Sequence, residues 1–134
     1  DDHEKWAGDI EETQGAKVTY PLIGDSELTV AKLYGMLPAS EDGTSEGRTA
    51  ATNATVRNVY IIGPDKQVKL IISYPMSTGR NFDEILRVID SLQLTANHKV
   101  ATPVNWKDGD DVIILPAVSD EDAKAAFPDA VRFA

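Results

Sequence analysis

An α/β fold is predicted by two observations. The stretches Val56 to Ile62 and Gln67 to Tyr74 flank "GPDK", and Pro64 suits the second position of a type I turn, so the pair reads as a β-hairpin. Just beyond it, Phe82, Ile85, Leu86, Ile89 and Leu92 form an apolar stripe at helical spacing. Asn81 caps that helix, with Glu84 three residues later in a variant of the capping box. A hairpin followed by an amphipathic helix suits many α/β folds, and periodicity goes no further. With 134 residues the chain is one domain's worth and can bury roughly two thirds of its unfolded surface.

The other elements are read in chain order. His3, Trp6, Ala7 and Ile10 fall on one face of a helix that Gly15 stops. Val18 to Ile23 is a short strand candidate, with Pro21 restricting it to an edge or a strand end. Asp25 or Ser26 caps a helix carrying Leu28, Ala31 and Leu33 and ending near Gly35. Residues 38 to 53 lack any apolar period and read as a long loop. Its Asn53-Ala54-Thr55 glycosylation pattern is taken as chance, because no secretory signal is visible. Beyond residue 98 come a turn at Lys107-Asp108-Gly109, a strand at Val112 to Leu115, and a short helix capped by Ser119 that carries Ala123, Ala126 and Phe127. This last part, residues 99–134, reads as an appendage to the layer formed by residues 1–98. Trp6, Trp106 and Phe127 are expected to be packing residues.

Composition excludes several classes of function. The net charge of −9 disfavours phosphate backbones and anionic membranes as partners. No apolar stretch approaches the ~20 residues needed to cross a bilayer, so a soluble chain is expected, with no membrane insertion. The absence of cysteine removes disulfides, thiolate metal sites and cysteine catalysis from this chain. His3 and His98 stand alone, so no metal site is expected, and nothing suggests a cofactor. One charge calls for an explanation. Arg57 falls near the start of an apolar strand, where burying a guanidinium is costly unless an anion answers it; a surface carboxylate would be the simplest partner.

The strings "RNVYIIGPDKQVKLIISYPMSTGRNFDEILRVIDSLQLT" and "KVATPVNWKDGDDVIILP" closely resemble the 1-Cys peroxiredoxins, the peroxiredoxin-6 branch of the thioredoxin-fold peroxidases. "DHEKWAGDIEE" and "YPLIGDSELTVAKLYGML" resemble the same family, so the similarity covers essentially the whole chain. The resemblance implies the C-terminal part of a thioredoxin-like, three-layer α/β/α fold, followed by the family's small C-terminal dimerisation appendage. Strand 18–23 and the two hairpin strands would be the third, fourth and fifth of its sheet. The activity implied is that of a thiol-dependent peroxidase, in which a cysteine thiolate reduces hydrogen peroxide or an organic hydroperoxide and an external thiol reduces the resulting sulfenic acid.

The family's nucleophile lies in a P-x-x-x-T-x-x-C segment at a helix start, and this chain has neither that segment nor any cysteine. The chain is therefore expected to be a fragment, inactive alone and accompanied by the N-terminal half of the same protein, which would be cytoplasmic and homodimeric or a higher homo-oligomer. The resemblance aligns Arg57 with the arginine that points at the peroxidatic thiolate, and Arg80 with an arginine that steadies it from behind. Asp65 matches the aspartate of a Ser-His-Asp set assigned to a phospholipase A2-type activity in some members, although turn chemistry already accounts for it. The rival expectation is a non-catalytic binding or assembly module that kept the fold and lost the thiol.

Overall fold

The computed structural model describes residues 2–37, 46, 47, 49 and 55–129, in an α/β arrangement of four helices and four short strands. The expected loop 38–53 lies almost wholly outside the described residues, as do Asn53 and Ala54 of the glycosylation pattern. The chain divides into two compact units, residues 1–57 with 75–77, and residues 58–74 with 78–134.

In the first unit, α1 spans Asp2–Gln14 and ends where Gly15 turns to a φ of 66°, its N–H donating to the Glu11 carbonyl at 3.1 Å. A positive φ is strained for residues with a Cβ, so the glycine makes this stop. Ala7 and Ile10 are half-buried, but Trp6 is exposed rather than a packing residue. The expected strand Val18 to Ile23 does not form; the segment is irregular, with Tyr20 and Ile23 exposed. Pro21 offers no N–H to a ladder, and among the described residues no strand lies alongside this segment to pair with it.

The next helix, α2 (Thr29–Leu33), starts after Leu28, which stands at its N-cap with a φ of 55° and not inside the helix as expected. The backbone N–H groups of Val30 and Ala31 donate to Asp25 Oδ1 and Oδ2 at 2.9 and 2.8 Å. These bonds, that from Val30 foremost, hold the Asp25 carboxyl below the ordinary carboxylate range. Ala31 is buried as expected, whereas Leu33 faces solvent. Leu33 follows Ala31 by two residues, about 200° around a helix, so the two cannot share a face.

The second unit opens on the hairpin of β1 (Arg57–Ile62, its first residue grouped with the first unit) and β2 (Val68–Tyr74). The loop is a type I turn plus one left-handed residue. The Lys66 N–H donates to the Gly63 carbonyl at 2.9 Å, Lys66 has a φ of 61°, and the Gly63 N–H returns to the Gln67 carbonyl. This is the three-residue hairpin connection that normally places glycine at the left-handed position. Lys66→Gly is accordingly expected to raise stability by up to about 1 kcal/mol, since the left-handed region costs a residue with a Cβ about that much; a urea midpoint unchanged or lowered by the substitution would contradict this. Side chains alternate along β2, with Leu70, Ile72 and Tyr74 half-buried and Ile71 exposed.

The long helix α3 (Phe82–Asn97) starts as expected, the Glu84 N–H donating to Asn81 Oδ1 at 3.2 Å. Its buried face differs from the predicted stripe. Val88 is buried, and Ile85, Ile89 and Leu92 are half-buried, but Phe82 and Leu86 are 68% and 58% exposed. Positions 85, 88 and 92 lie together at spacings of three and four, while 82 and 86 form a neighbouring stripe on the solvent side.

Against the buried stripe lies β3 (Val100–Ala101), paired antiparallel with β4 (Ile113–Ile114), Val100 opposite Ile114. The strand expected at Val112 to Leu115 thus shrinks to two residues, extended by a bond from the Leu115 N–H to the Lys99 carbonyl. Ser91 and Thr102 join helix and strand through their hydroxyls at 2.7 Å. Trp106, 2% exposed, is the best-buried large side chain among the described residues, and its indole N–H donates to the Asp110 carbonyl at 3.0 Å. The Lys107-Asp108-Gly109 turn closes beneath it, with Gly109 at a φ of 94°. Ser119 caps α4 (Asp120–Ala126) by accepting from the Asp122 N–H at 3.1 Å, and Phe127 beyond its end is half-buried.

Candidate functional site

Arg57 is the first residue of β1 and is exposed, not buried as its apolar neighbourhood suggests. Its neighbours Val56 and Asn58 are both half-buried, so along the extended chain the Arg57 side chain takes the face that reaches water. The guanidinium therefore keeps its hydration and incurs no desolvation cost. No hydrogen bond or ion pair links it to a described residue, the surface carboxylate included. It remains a planar, permanently charged donor set open to an anion.

Arg80 lies in the segment between β2 and α3, immediately before the cap residue Asn81, and is also exposed. The Asn81 N–H donates to the Tyr74 hydroxyl at 3.4 Å, which ties the start of the helix to the end of β2. Asp65 occupies the hairpin turn. Lys69 Nζ donates to its Oδ2 at 2.6 Å and the Gln67 N–H to its Oδ1 at 3.1 Å. The lysine contact foremost, and then the Gln67 N–H, hold the Asp65 carboxyl below the ordinary carboxylate range. Asp65 and Arg80, both in the second unit, share no hydrogen bond or ion pair.

Sequence reasoning missed a third cationic group. Arg87 Nε and Nη2 donate to Glu84 Oε2 and Oε1 at 2.6 and 2.8 Å, a bidentate pair one turn apart on α3. Its remaining nitrogen, Nη1, donates to the Trp106 carbonyl at 3.3 Å. The contact with Arg87 lowers the pKa of Glu84, and that with Glu84 raises the pKa of Arg87. The signal available beforehand was the i, i+3 spacing of opposite charges. Nothing in the sequence indicated the Trp106 carbonyl.

Among the described residues no group of three or more His, Asp or Glu side chains is placed to hold a metal, and no helix is long and apolar enough to cross a membrane.

Comparison with known proteins agrees with this arrangement. Residues 91–130 match the C-terminal domain of 1-Cys peroxiredoxin. The chain is 53% identical to a 1-Cys peroxiredoxin of Dictyostelium discoideum over 95% of its own length and 49% of that protein. It is 48% identical to peroxiredoxin-6 of Homo sapiens over 98% of its length and 58% of that protein. A crystal structure of a cysteine-to-serine variant of the peroxiredoxin 6 of Arenicola marina superposes with a TM-score of 0.81 at 49% identity, covering 96% of this chain and 57% of that one. A yeast mitochondrial 1-Cys peroxiredoxin, solved in a study of thiol resolution by the glutathione and thioredoxin systems, gives a TM-score of 0.79 at 47% identity. The chain spans about half the length of the relatives it matches. Together with the α/β order of hairpin, capped helix and small C-terminal sheet, these similarities establish that the chain belongs to the 1-Cys peroxiredoxin family, whose fold is thioredoxin-like.

Proposed function

We propose that this chain is the arginine-bearing part of a thiol-dependent peroxidase whose nucleophilic cysteine lies in an N-terminal half of the same protein. The observation that carries the reading is 53% identity to a 1-Cys peroxiredoxin over 95% of the chain, in a polypeptide with no cysteine of its own. Arg57 is the residue that meets the chemistry. A guanidinium beside a thiol favours the thiolate, the nucleophilic form. The thiolate attacks one oxygen of the hydroperoxide, the O–O bond breaks, and the departing alkoxide or hydroxide takes a proton to become an alcohol or water. Arg57 donates hydrogen bonds to the oxygens as negative charge moves onto the leaving group, where a preorganised donor is worth most. The sulfenic acid then reacts with two equivalents of an external thiol, which regenerates the cysteine thiol and releases water and a disulfide. No cofactor or metal enters these steps. Arg80, in the segment before α3, has a supporting role that does not touch the peroxide.

The same reading makes the parent protein a cytoplasmic antioxidant enzyme and a homodimer. Strand β2 supports the dimer, since β1 and β2 form a sheet of two strands among the described residues and β2 carries the exposed Ile71. An unpaired apolar strand edge is a template for a second copy. Residues 99–134 would act as the dimerisation appendage on the layer formed by residues 1–98.

The cysteine-free composition favours a second reading, a non-catalytic binding or assembly module. A lipase-type role for Asp65 draws less support, because its carboxylate is engaged by Lys69 and the Gln67 N–H. Hydroperoxide consumption by the full-length protein, with dithiothreitol as reductant, separates these. The peroxidase reading expects sustained turnover that disappears when the full-length protein's thiol is alkylated. A full-length protein that leaves the hydroperoxide unconsumed would overturn it in favour of the module.

A further inference from the structure

The second unit contains a polar relay that the peroxidase reading does not use. At one end, Trp106 is buried and fixed by its bond to the Asp110 carbonyl, while Asp110 Oδ2 accepts from the Lys107 N–H at 2.9 Å. These contacts close the loop from Trp106 to Asp110 on itself. At the other end, the Glu84 N–H is held by Asn81 Oδ1, and the Asn81 N–H by the Tyr74 hydroxyl. Arg80 is the next residue toward the N-terminus. Between the two ends stands Arg87, with both faces of its fork in use: Glu84 takes two nitrogens and the Trp106 carbonyl takes the third.

A half-exposed ion pair adds little to stability. A bidentate arginine fixes direction, however, because its donors are coplanar and cannot rotate independently. Lysine, with a single nitrogen on a flexible stem, cannot hold a carboxylate and a carbonyl in the same way.

We propose that Arg87 is a positioning residue for Arg80: by clamping Glu84 and the Trp106 carbonyl, it fixes the N-terminal turn of α3 against the C-terminal loop and so aims the backbone that carries Arg80. The proposal rests on the peroxidase reading of Arg80. It also gives residues 106–110 a part in the chemistry, because a disturbance there would reach Arg80 through Arg87.

The test uses Arg87→Ala, Arg87→Lys and Arg80→Ala in the full-length protein. Arg87→Ala is expected to lower kcat/KM about tenfold, within the range that an ångström-scale misplacement produces, and to shift the pH midpoint of cysteine alkylation upward. It is also expected to speed amide hydrogen exchange at Asn81 and Glu84 together with the 106–110 loop, leaving the β1–β2 hairpin unchanged. Arg87→Lys keeps the charge without the fork and should remain impaired. A purely structural role would lower the active fraction without moving the alkylation midpoint. Should Arg87→Ala fail to fold, Glu84→Gln weakens the same clamp and is expected to give the same pattern. Impaired Arg80→Ala beside a folded Arg87→Ala of wild-type midpoint and kcat/KM would overturn the positioning role alone. Unimpaired Arg80→Ala would overturn it together with the peroxidase reading of Arg80.

Discussion

Arg57→Ala in the full-length protein is expected to lower hydroperoxide turnover by about 10²–10³-fold, the usual loss when one preorganised donor to a developing oxyanion is removed. Arg57→Lys should recover little of it, because a single ammonium cannot replace a planar fork that serves a thiolate and a peroxide together. Both variants should remain folded. Arg57 is exposed and has no hydrogen bond or ion pair to a described residue, so its removal leaves none of those groups unsatisfied. Circular dichroism and steady-state peroxide consumption, measured on the same preparations, separate lost chemistry from lost structure. Folded variants with wild-type turnover would remove Arg57 from the mechanism.

The largest stability effect is expected at Trp106. Trp106→Ala should cost about 3–5 kcal/mol, the range for emptying a buried aromatic site. Two losses combine there. The large buried ring leaves a cavity, and the Asp110 carbonyl loses its indole donor. The Arg87 contact to the residue 106 carbonyl is a backbone contact, so the substitution removes packing without deleting that acceptor. Trp106→Phe keeps most of the packing and loses only the hydrogen bond, so its cost should be well below that of alanine. Urea unfolding followed by circular dichroism checks both values, and equal midpoints for wild type and Trp106→Ala would contradict the packing described here.

The elements legible in the sequence were those set by local chemistry. Asn81 with Glu84, Ser119 with its acidic first turn, Gly15 and the "GPDK" turn each state a boundary within a few residues, and each boundary is present. What could not be read was set by partners distant in the chain. Strand 18–23 looks extended because Val18, Tyr20 and Leu22 alternate, but a strand forms only against another strand, and none is beside it among the described residues. The sequence predicts one apolar face, whereas α3 carries two adjacent apolar stripes, and with the helix packed against β3 Val88 is inside and Phe82 outside.

The candidate site shows the same division. Arg57, Arg80 and Asp65 stand out by residue type and family resemblance, and Arg80 stands just before the helix cap as its sequence position implies, yet Arg57 is exposed where its apolar neighbourhood predicts burial. Exposure of Arg57 changes its interpretation from a buried charge awaiting compensation to an accessible donor without a described partner. Arg87 lay unnoticed because an i, i+3 ion pair on a helix is ordinary. Its importance comes from a backbone carbonyl nineteen residues away.

The central claim is that this chain holds the arginines of a peroxidatic site and not its nucleophile. The most direct test is hydroperoxide consumption, with dithiothreitol present, by the 134-residue polypeptide after intact-mass verification. The account predicts a rate no greater than that of dithiothreitol alone. Sustained turnover by the mass-verified, cysteine-free chain would contradict it.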